Sequence, residues 1–351
     1  MTINEEKLMG YVHQAVGDFG SILSGALINI GDKLGLFRAL AGAGAMTPAQ
    51  LAKKTDTSER YVLEWASGLA AAGYIDYAGD GAFEMNEEQS IVFGDESSPA
   101  YVIGGFQVML AATRILPKAV EAFRTGDGIG WHEHDPDLFQ GTERFFRPGY
   151  LANLVQSWIP ALDGAEAKLR AGARVADVGC GWGASTVIMA QAYPNSKFFG
   201  FDYHEPSIRN ATEAAADAGV ADRVEFIVAS AKDFPGTDYD LICHFDCLHD
   251  MGDPVGAARY ARAALKGDGH WLLVEPFAND DVKDNLNPIG RVFYSASTLI
   301  CTPASLSQEV GAGLGAQAGE GKLREVADAA GFSSFRRVTE TPFNLILEGR
   351  P

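Results

Sequence analysis

The sequence is short of cysteine, of basic side chains and of long apolar runs, and each shortage removes a class of protein. Four cysteines in 351 residues, none in a C-x-x-C pair, exclude a disulfide framework. Lys plus Arg number 28 against 46 Asp plus Glu, a formal net charge of −18. Sequence-independent nucleic-acid affinity depends on cations that displace counterions from phosphates, so this balance argues against a phosphate-binding surface. No stretch approaches the roughly 18 uninterrupted apolar residues of a membrane-spanning helix, so no membrane partner is expected. The opening Met1-Thr2-Ile3-Asn4-Glu5-Glu6-Lys7 lacks the basic start and apolar run of a signal peptide, and the expected location is the cytoplasm. Apolar residues at 47% and charged residues at 21% suit a chain that folds around real cores, and its length suits two domains.

Residues 1–95 read as a winged-helix-like module. Apolar positions at helical spacing (Leu23, Ala26, Leu27, Ile30, Leu34, Phe37) predict a helix over 22–40. Thr47-Pro48 is a helix start, and Thr57 or Ser58 caps a third helix that runs to Gly73. Strands at 74–77 and 82–85 then flank the turn Gly79-Asp80-Gly81. Such a module binds DNA or serves as a dimer interface. Six basic and twelve acidic side chains over 1–90, with one Arg and two Glu on the helix that would enter the groove, favour a homodimer interface and no nucleic acid.

Residues 96–170 read as a helical connector or lid. Trp131, His132, His134, Phe139, Phe145, Phe146, Tyr150 and Trp158 suit either a pocket wall or plain packing between helices. The His132/His134 spacing fixes no third ligand, so no metal is expected. From 171 to 351 apolar runs (175–178, 198–201, 224–228, 241–245, 271–274) alternate with helix-like stretches. That alternation implies an α/β domain with a mostly parallel, doubly wound sheet, and 335–338 and 343–347 are close enough to pair as an antiparallel hairpin.

The strongest chemical signal is Val175-Ala176-Asp177-Val178-Gly179-Cys180-Gly181-Trp182-Gly183, a buried strand leading into three alternating glycines and a helix. Open α/β sheets bind ligands at such a turn, where glycine lets the ligand touch the main chain. The spacing is not the dinucleotide form G-x-G-x-x-G, and Asp177 would repel a pyrophosphate. A carboxylate there attracts a cation, and S-adenosylmethionine carries both an ammonium and a sulfonium. Asp202, with Tyr203 beside it, ends the next strand, where an acid accepts ribose hydroxyls. Ala231, Asp233 and Phe234 follow the third strand, where an acid holds an adenine amino group and an aromatic ring flanks the base.

On these residues the chain resembles the class I S-adenosylmethionine-dependent methyltransferases. The resemblance implies a doubly wound, seven-stranded Rossmann-like methyltransferase core behind a mainly α winged-helix domain. The whole chain is similar to the bacterial two-domain group and to its small-molecule O-methyltransferases. It implies S-adenosylmethionine as cofactor, a small-molecule acceptor, and a cradle of Asp177, Gly179, Cys180, Gly181, Gly183, Asp202, Tyr203, Ala231, Asp233, Phe234 and His244. The segment His244-Phe245-Asp246-Cys247-Leu248-His249-Asp250-Met251 is similar to the His-Asp-Trp segment of that group, with Met251 where the family has tryptophan. The carry-over makes His249 the general base with Asp250 beside it, or else a residue that packs beneath the cofactor. Glu275, closing the fifth strand, either orients that imidazole or is a solvated acid. The segment from Asn287 to Pro303 resembles an insertion that helps close the substrate pocket. Two rival functions remain at this point, a ligand-sensing winged-helix transcriptional regulator and a cofactor-binding protein without methyl transfer.

Overall fold

A computed structural model describes residues 3–351; Met1 and Thr2, part of the N-terminal reading, lie outside them. The chain divides into two compact units, 1–110 and 111–351, so 111–170 of the segment read as a connector lies in the second.

The first unit opens with α1 (Glu5–Lys33), capped by Asn4, whose side chain accepts from the Lys7 amide at 2.9 Å. The helix expected over 22–40 is two helices instead. Gly35 takes a left-handed φ of 70°, a conformation that only glycine adopts cheaply, and α2 (Leu36–Leu40) starts afresh. A reciprocal cap between Thr47 and Gln50 begins α3 (Pro48–Thr55). In α4 (Glu59–Ala71) Val62, Trp65, Ala66 and Leu69 are buried, and the Trp65 indole donates to the Leu27 carbonyl at 2.9 Å. The hairpin is β1 (Asp76–Gly79) against β2 (Ala82–Glu84). Tyr74 is not yet strand because its amide still closes the helix exit on the Leu69 carbonyl. One long apolar face of α1 stays open, with Leu8, Val12, Val16, Phe19 and Leu23 exposed.

The second unit is an α/β domain on a seven-stranded sheet, ordered β5-β4-β3-β6-β7-β9-β8. The strands are β3 (Arg174–Val178), β4 (Lys197–Asp202), β5 (Val224–Val228), β6 (Tyr239–Phe245), β7 (Leu265–Pro276), β8 (Ser334–Glu340) and β9 (Asn344–Arg350). The first five are parallel, and β8 and β9 form the antiparallel hairpin whose β9 pairs with β7. Side chains alternate across the sheet with period two. Ala176 and Val178 therefore enter one apolar cluster, with Phe201, Phe234 and Trp271, while Val175 enters the other, with Trp158, Tyr193 and Phe198. Each such buried aromatic or aliphatic side chain contributes about 1.5–3 kcal/mol.

Topology then positions the site. The chain steps outward from β3 through β4 to β5, then crosses back to β6 on the other side of β3. The reversal leaves a crevice over the carboxyl ends of β3 and β6, where ligands of open α/β sheets bind. Among the described residues no helix is long and apolar enough to cross a membrane.

Candidate active site

The glycine turn hangs from the neighbouring strand. The amides of Gly179 and Cys180 both donate to the Phe201 carbonyl, at 2.7 and 3.0 Å. Gly179 has φ 77°, and a Cβ there would lie 2.7 Å from Cys247 Sγ. A Cβ on Gly181 (φ 53°) would meet nothing within 4 Å, so this glycine leaves space rather than relieving a clash. Gly183 stands apart: it begins the helix Ala184–Ala192, and a Cβ there would strike the Phe226 ring.

Over this turn lies a cavity of about 340 Å³. One part is bordered by Asp202, Tyr203 and Ala229 to Ala231, the middle by Gly179, Cys180, Gly181, Cys247, Asp250 and Met251. Aromatic side chains (Trp131, Phe139, Phe146, Tyr150, Phe245) and Asp246 supply much of the remaining wall, and Ser307 and Gln308 close it from the segment after β7. Gln308 is tied there by accepting from the Gly252 amide and donating to the Asp250 carbonyl.

Four carboxyls in or behind this cavity wall, Asp177, Asp202, Asp246 and Asp250, are held above their usual pKa. Asp202 accepts the Gly181 amide at Oδ2 (3.0 Å) and the His204 amide at Oδ1 (2.8 Å), yet burial still raises its pKa. One lone pair on each oxygen is left for a diol. Asp177 is buried one layer back; its Oδ2 accepts from Ser185 and Thr186, both at 2.6 Å, and Ser185 lines the cavity. Burial pushes Asp177 up to about 6 against those two hydrogen bonds, and its Oδ1 is buried with no partner in the chain. Burial likewise takes Asp250 to about 7. Carboxyls whose pKa burial and mutual repulsion raise are stabilised as anions by an incoming cation.

Besides Asp177 and Gly183, three residues predicted for the cradle fall outside the cavity wall. Phe234 is fully buried and stacks on Phe201 at 4.9 Å in the core, so it does not flank a base. Asp233 is exposed and accepts from the amide and hydroxyl of Ser230, both at 2.8 Å, shaping the loop rather than facing a ligand. His244 turns to the opposite side: its Nδ1 accepts from the Trp271 indole at 3.0 Å, and burial lowers its pKa to about 3. Ala231 and Tyr203 do line the cavity.

The predicted acid–base trio is also divided. Asp250 borders the cavity, but His249 and Glu275 are not among its lining residues and are 4% and 2% exposed. Glu275 accepts the Leu248 amide at 3.0 Å with Oε1 and meets His249 Nδ1 at 2.5 Å with Oε2. Cys301 also contacts the imidazole. Glu275 therefore orients the imidazole, which is buried and outside the residues that line the cavity. The sequence reading missed Asp246 as a site residue. Its carboxyl receives the Tyr150 hydroxyl (3.2 Å) and the Asn344 amide (2.8 Å), partners 96 and 98 residues away. Among the described residues no cluster could hold a metal ion.

Residues 169–320 match the family model described as a methyltransferase domain, and residues 23–94 match that of an Rv2258c-like winged HTH domain. The chain thus carries a methyltransferase domain behind a winged-helix domain. The chain is 35% identical over 107 residues to 27-O-demethylrifamycin SV methyltransferase of Amycolatopsis mediterranei, covering 30% of this chain and 39% of that one. It thus spans about two-fifths of the length of such curated relatives. Its fold is similar to mitomycin 7-O-methyltransferase (TM-score 0.70, 20% identity, 99% and 100% of the two chains). It is equally similar to human N-acetylserotonin methyltransferase in complex with S-adenosylmethionine (TM-score 0.69, 18% identity, 97% of each).

The residues present fit S-adenosylmethionine. The partnerless Oδ1 of Asp177 is an acceptor for an ammonium, Asp202 suits the ribose diol, and the space beside Gly181 admits a ligand to the main chain. The same set does not suit a pyrophosphate, which would meet Asp177 and Asp202 at the glycine turn.

Proposed function

We propose that the chain is an S-adenosylmethionine-dependent O-methyltransferase of a small hydroxylated molecule. The observation that carries this reading is the cavity itself. It runs from the acid and small side chains suited to a cationic nucleoside into a wall rich in aromatic residues.

When bound, S-adenosylmethionine supplies an already activated sulfonium methyl group. The chain's own work is to orient the acceptor, exclude water and receive a proton. Asp202, Tyr203 and the loop 229–231 would hold the nucleoside, and Asp177 with the Gly179–Gly181 turn the charged amino acid portion. Phe146, Tyr150 and Phe245 would hold the acceptor flat, with Ser307 and Gln308 covering it. His249 and Glu275 stiffen the turn 248–252, which carries Asp250 and Met251 to the cavity.

The exposed apolar face of α1 supports a homodimer formed through the first unit. Four free cysteines support a reducing, cytoplasmic location. The acidic first unit supports no role on DNA. Mass spectrometry after incubation with S-adenosylmethionine and a set of phenols tests the reaction. A product heavier than its phenol by one methylene supports the proposal. Unchanged phenols from a chain that still binds S-adenosylhomocysteine would leave a binding protein without transfer.

A further inference from the structure

Asp246 is the first residue beyond β6, at the reversal point of the sheet, and takes a left-handed φ of 51° without being glycine. Non-glycine residues are held at such angles where the surroundings over-determine them, and they cluster at functional sites. Here the surroundings are identifiable. The Asp246 amide donates to the Val274 carbonyl at 2.8 Å, fixing the backbone. Asn344, the first residue of β9, donates to Oδ1 at 2.8 Å, and Tyr150, from the helix Pro136–Asn153, meets Oδ2 at 3.2 Å. The carboxyl is thus clamped from two distant elements while Asp246 still lines the cavity beside Phe146, Tyr150 and Phe245.

We propose that Asp246 is the catalytic residue that binds the acceptor's hydroxyl and takes its proton at Oδ2, with Tyr150 and Asn344 as positioning residues. This inference rests on the methyl-transfer reading and deepens it. The acceptor's O–H bond breaks, its proton passes to Oδ2, and its electron pair forms the new O–CH3 bond as the C–S bond of the methyl donor leaves its pair on sulfur.

Two other candidates fit less well. His249 is sealed between Glu275 and Cys301. Asp250 also lines the cavity, with His249 and Glu275 acting on its charge ahead of Asp202, but no described side chain hydrogen-bonds its carboxyl. Asp246 combines the aromatic wall with a carboxyl clamped from two distant elements. The groups that face it are Glu275 from β7, His249 from the turn, and Tyr150. Burial and then Glu275 raise its pKa to about 8, against His249, Tyr150 and Asn344. A base is most effective when its pKa lies near the working pH.

The test uses 4-nitrophenol, whose phenolate is coloured, titrated into the full chain saturated with S-adenosylhomocysteine. Asp246→Asn keeps the shape and tolerates the left-handed backbone. It should weaken 4-nitrophenol binding about tenfold, the loss of one hydrogen bond to a charged group, and leave S-adenosylhomocysteine affinity within about twofold. Methylation should fall about 100-fold or more, and the rise of rate towards alkaline pH should disappear. Tyr150→Phe removes a hydrogen bond that favours the carboxylate, so the rising limb should move to higher pH. Equal 4-nitrophenol binding by the wild type and Asp246→Asn, or no binding by the wild type, overturns the assignment. Loss of S-adenosylhomocysteine binding by the wild type would instead overturn the methyl-transfer reading.

Discussion

Glu275 Oε2 lies 2.5 Å from His249 Nδ1, and both side chains are almost wholly shut away from solvent. Glu275 also accepts the Leu248 amide, so this single carboxylate fixes both the start of the turn 248–252 and the ring inside it. The pair serves first as architecture for the cavity.

That arrangement has a signature in stability against pH. Burial alone would lower the pKa of His249, but Glu275 and, after it, Cys301 hold it well above its usual value. A histidine raised on folding contributes its stability in full below about pH 6.5 and loses it as pH climbs through the raised value. Glu275→Gln should therefore lower stability by about 1–3 kcal/mol in mildly acidic buffer, with the gap to wild type closing as the pH becomes alkaline. Thermal melts across this range check it. A gap that widens with pH would contradict the pairing.

Gly179 carries two separable constraints, a left-handed φ of 77° and the nearness of Cys247 Sγ. Gly179→Ala should destabilise the domain by about 2 kcal/mol or more, the backbone alone costing about 1–2. In a Cys247→Ala background the clash with sulfur is removed and the cost should shrink towards the backbone part, with the Cβ of residue 247, 3.0 Å away, still in tight contact. Urea unfolding of the four variants measures the coupling; strict additivity would show that the sulfur does not matter.

The face of α1 bearing Phe19 (63% exposed) and Leu23 (68% exposed) gives the dimer proposal a simple assay. Replacing both by Asp should turn a dimer into a folded monomer in sedimentation equilibrium, because neither side chain supports the first unit's own core. An unchanged dimer would move the interface elsewhere.

How far the sequence could be read depended on the range of the interactions. Asp177, the glycine turn and Asp202 lie on short strand–turn segments, so local pattern located them; the helix cap at Thr47 was equally local. β6 defeated this approach because all seven of its residues are buried. With no alternation of polar and apolar positions, nothing in the string Tyr239–Phe245 told which way His244 points, and it turned to Trp271. Phe234 was misread because a loop aromatic can equally join the core, where Phe201 stacks on it. Asp246 was passed over because its meaning comes from Tyr150 and Asn344, far away in the chain on both sides. The break at Gly35 in the first helical stretch was hidden by apolar spacing that continued across it.

The proposed function stands on carboxylates at the strand ends receiving a cationic nucleoside. Its most direct test is calorimetric titration of S-adenosylmethionine into the wild type and Asp202→Ala, with NADH as the control ligand. The prediction is binding of S-adenosylmethionine by the wild type, a loss of about 10–100-fold in affinity for Asp202→Ala, and no heat from NADH. Equal affinity in the two proteins, or a wild type that binds NADH and ignores S-adenosylmethionine, would contradict it.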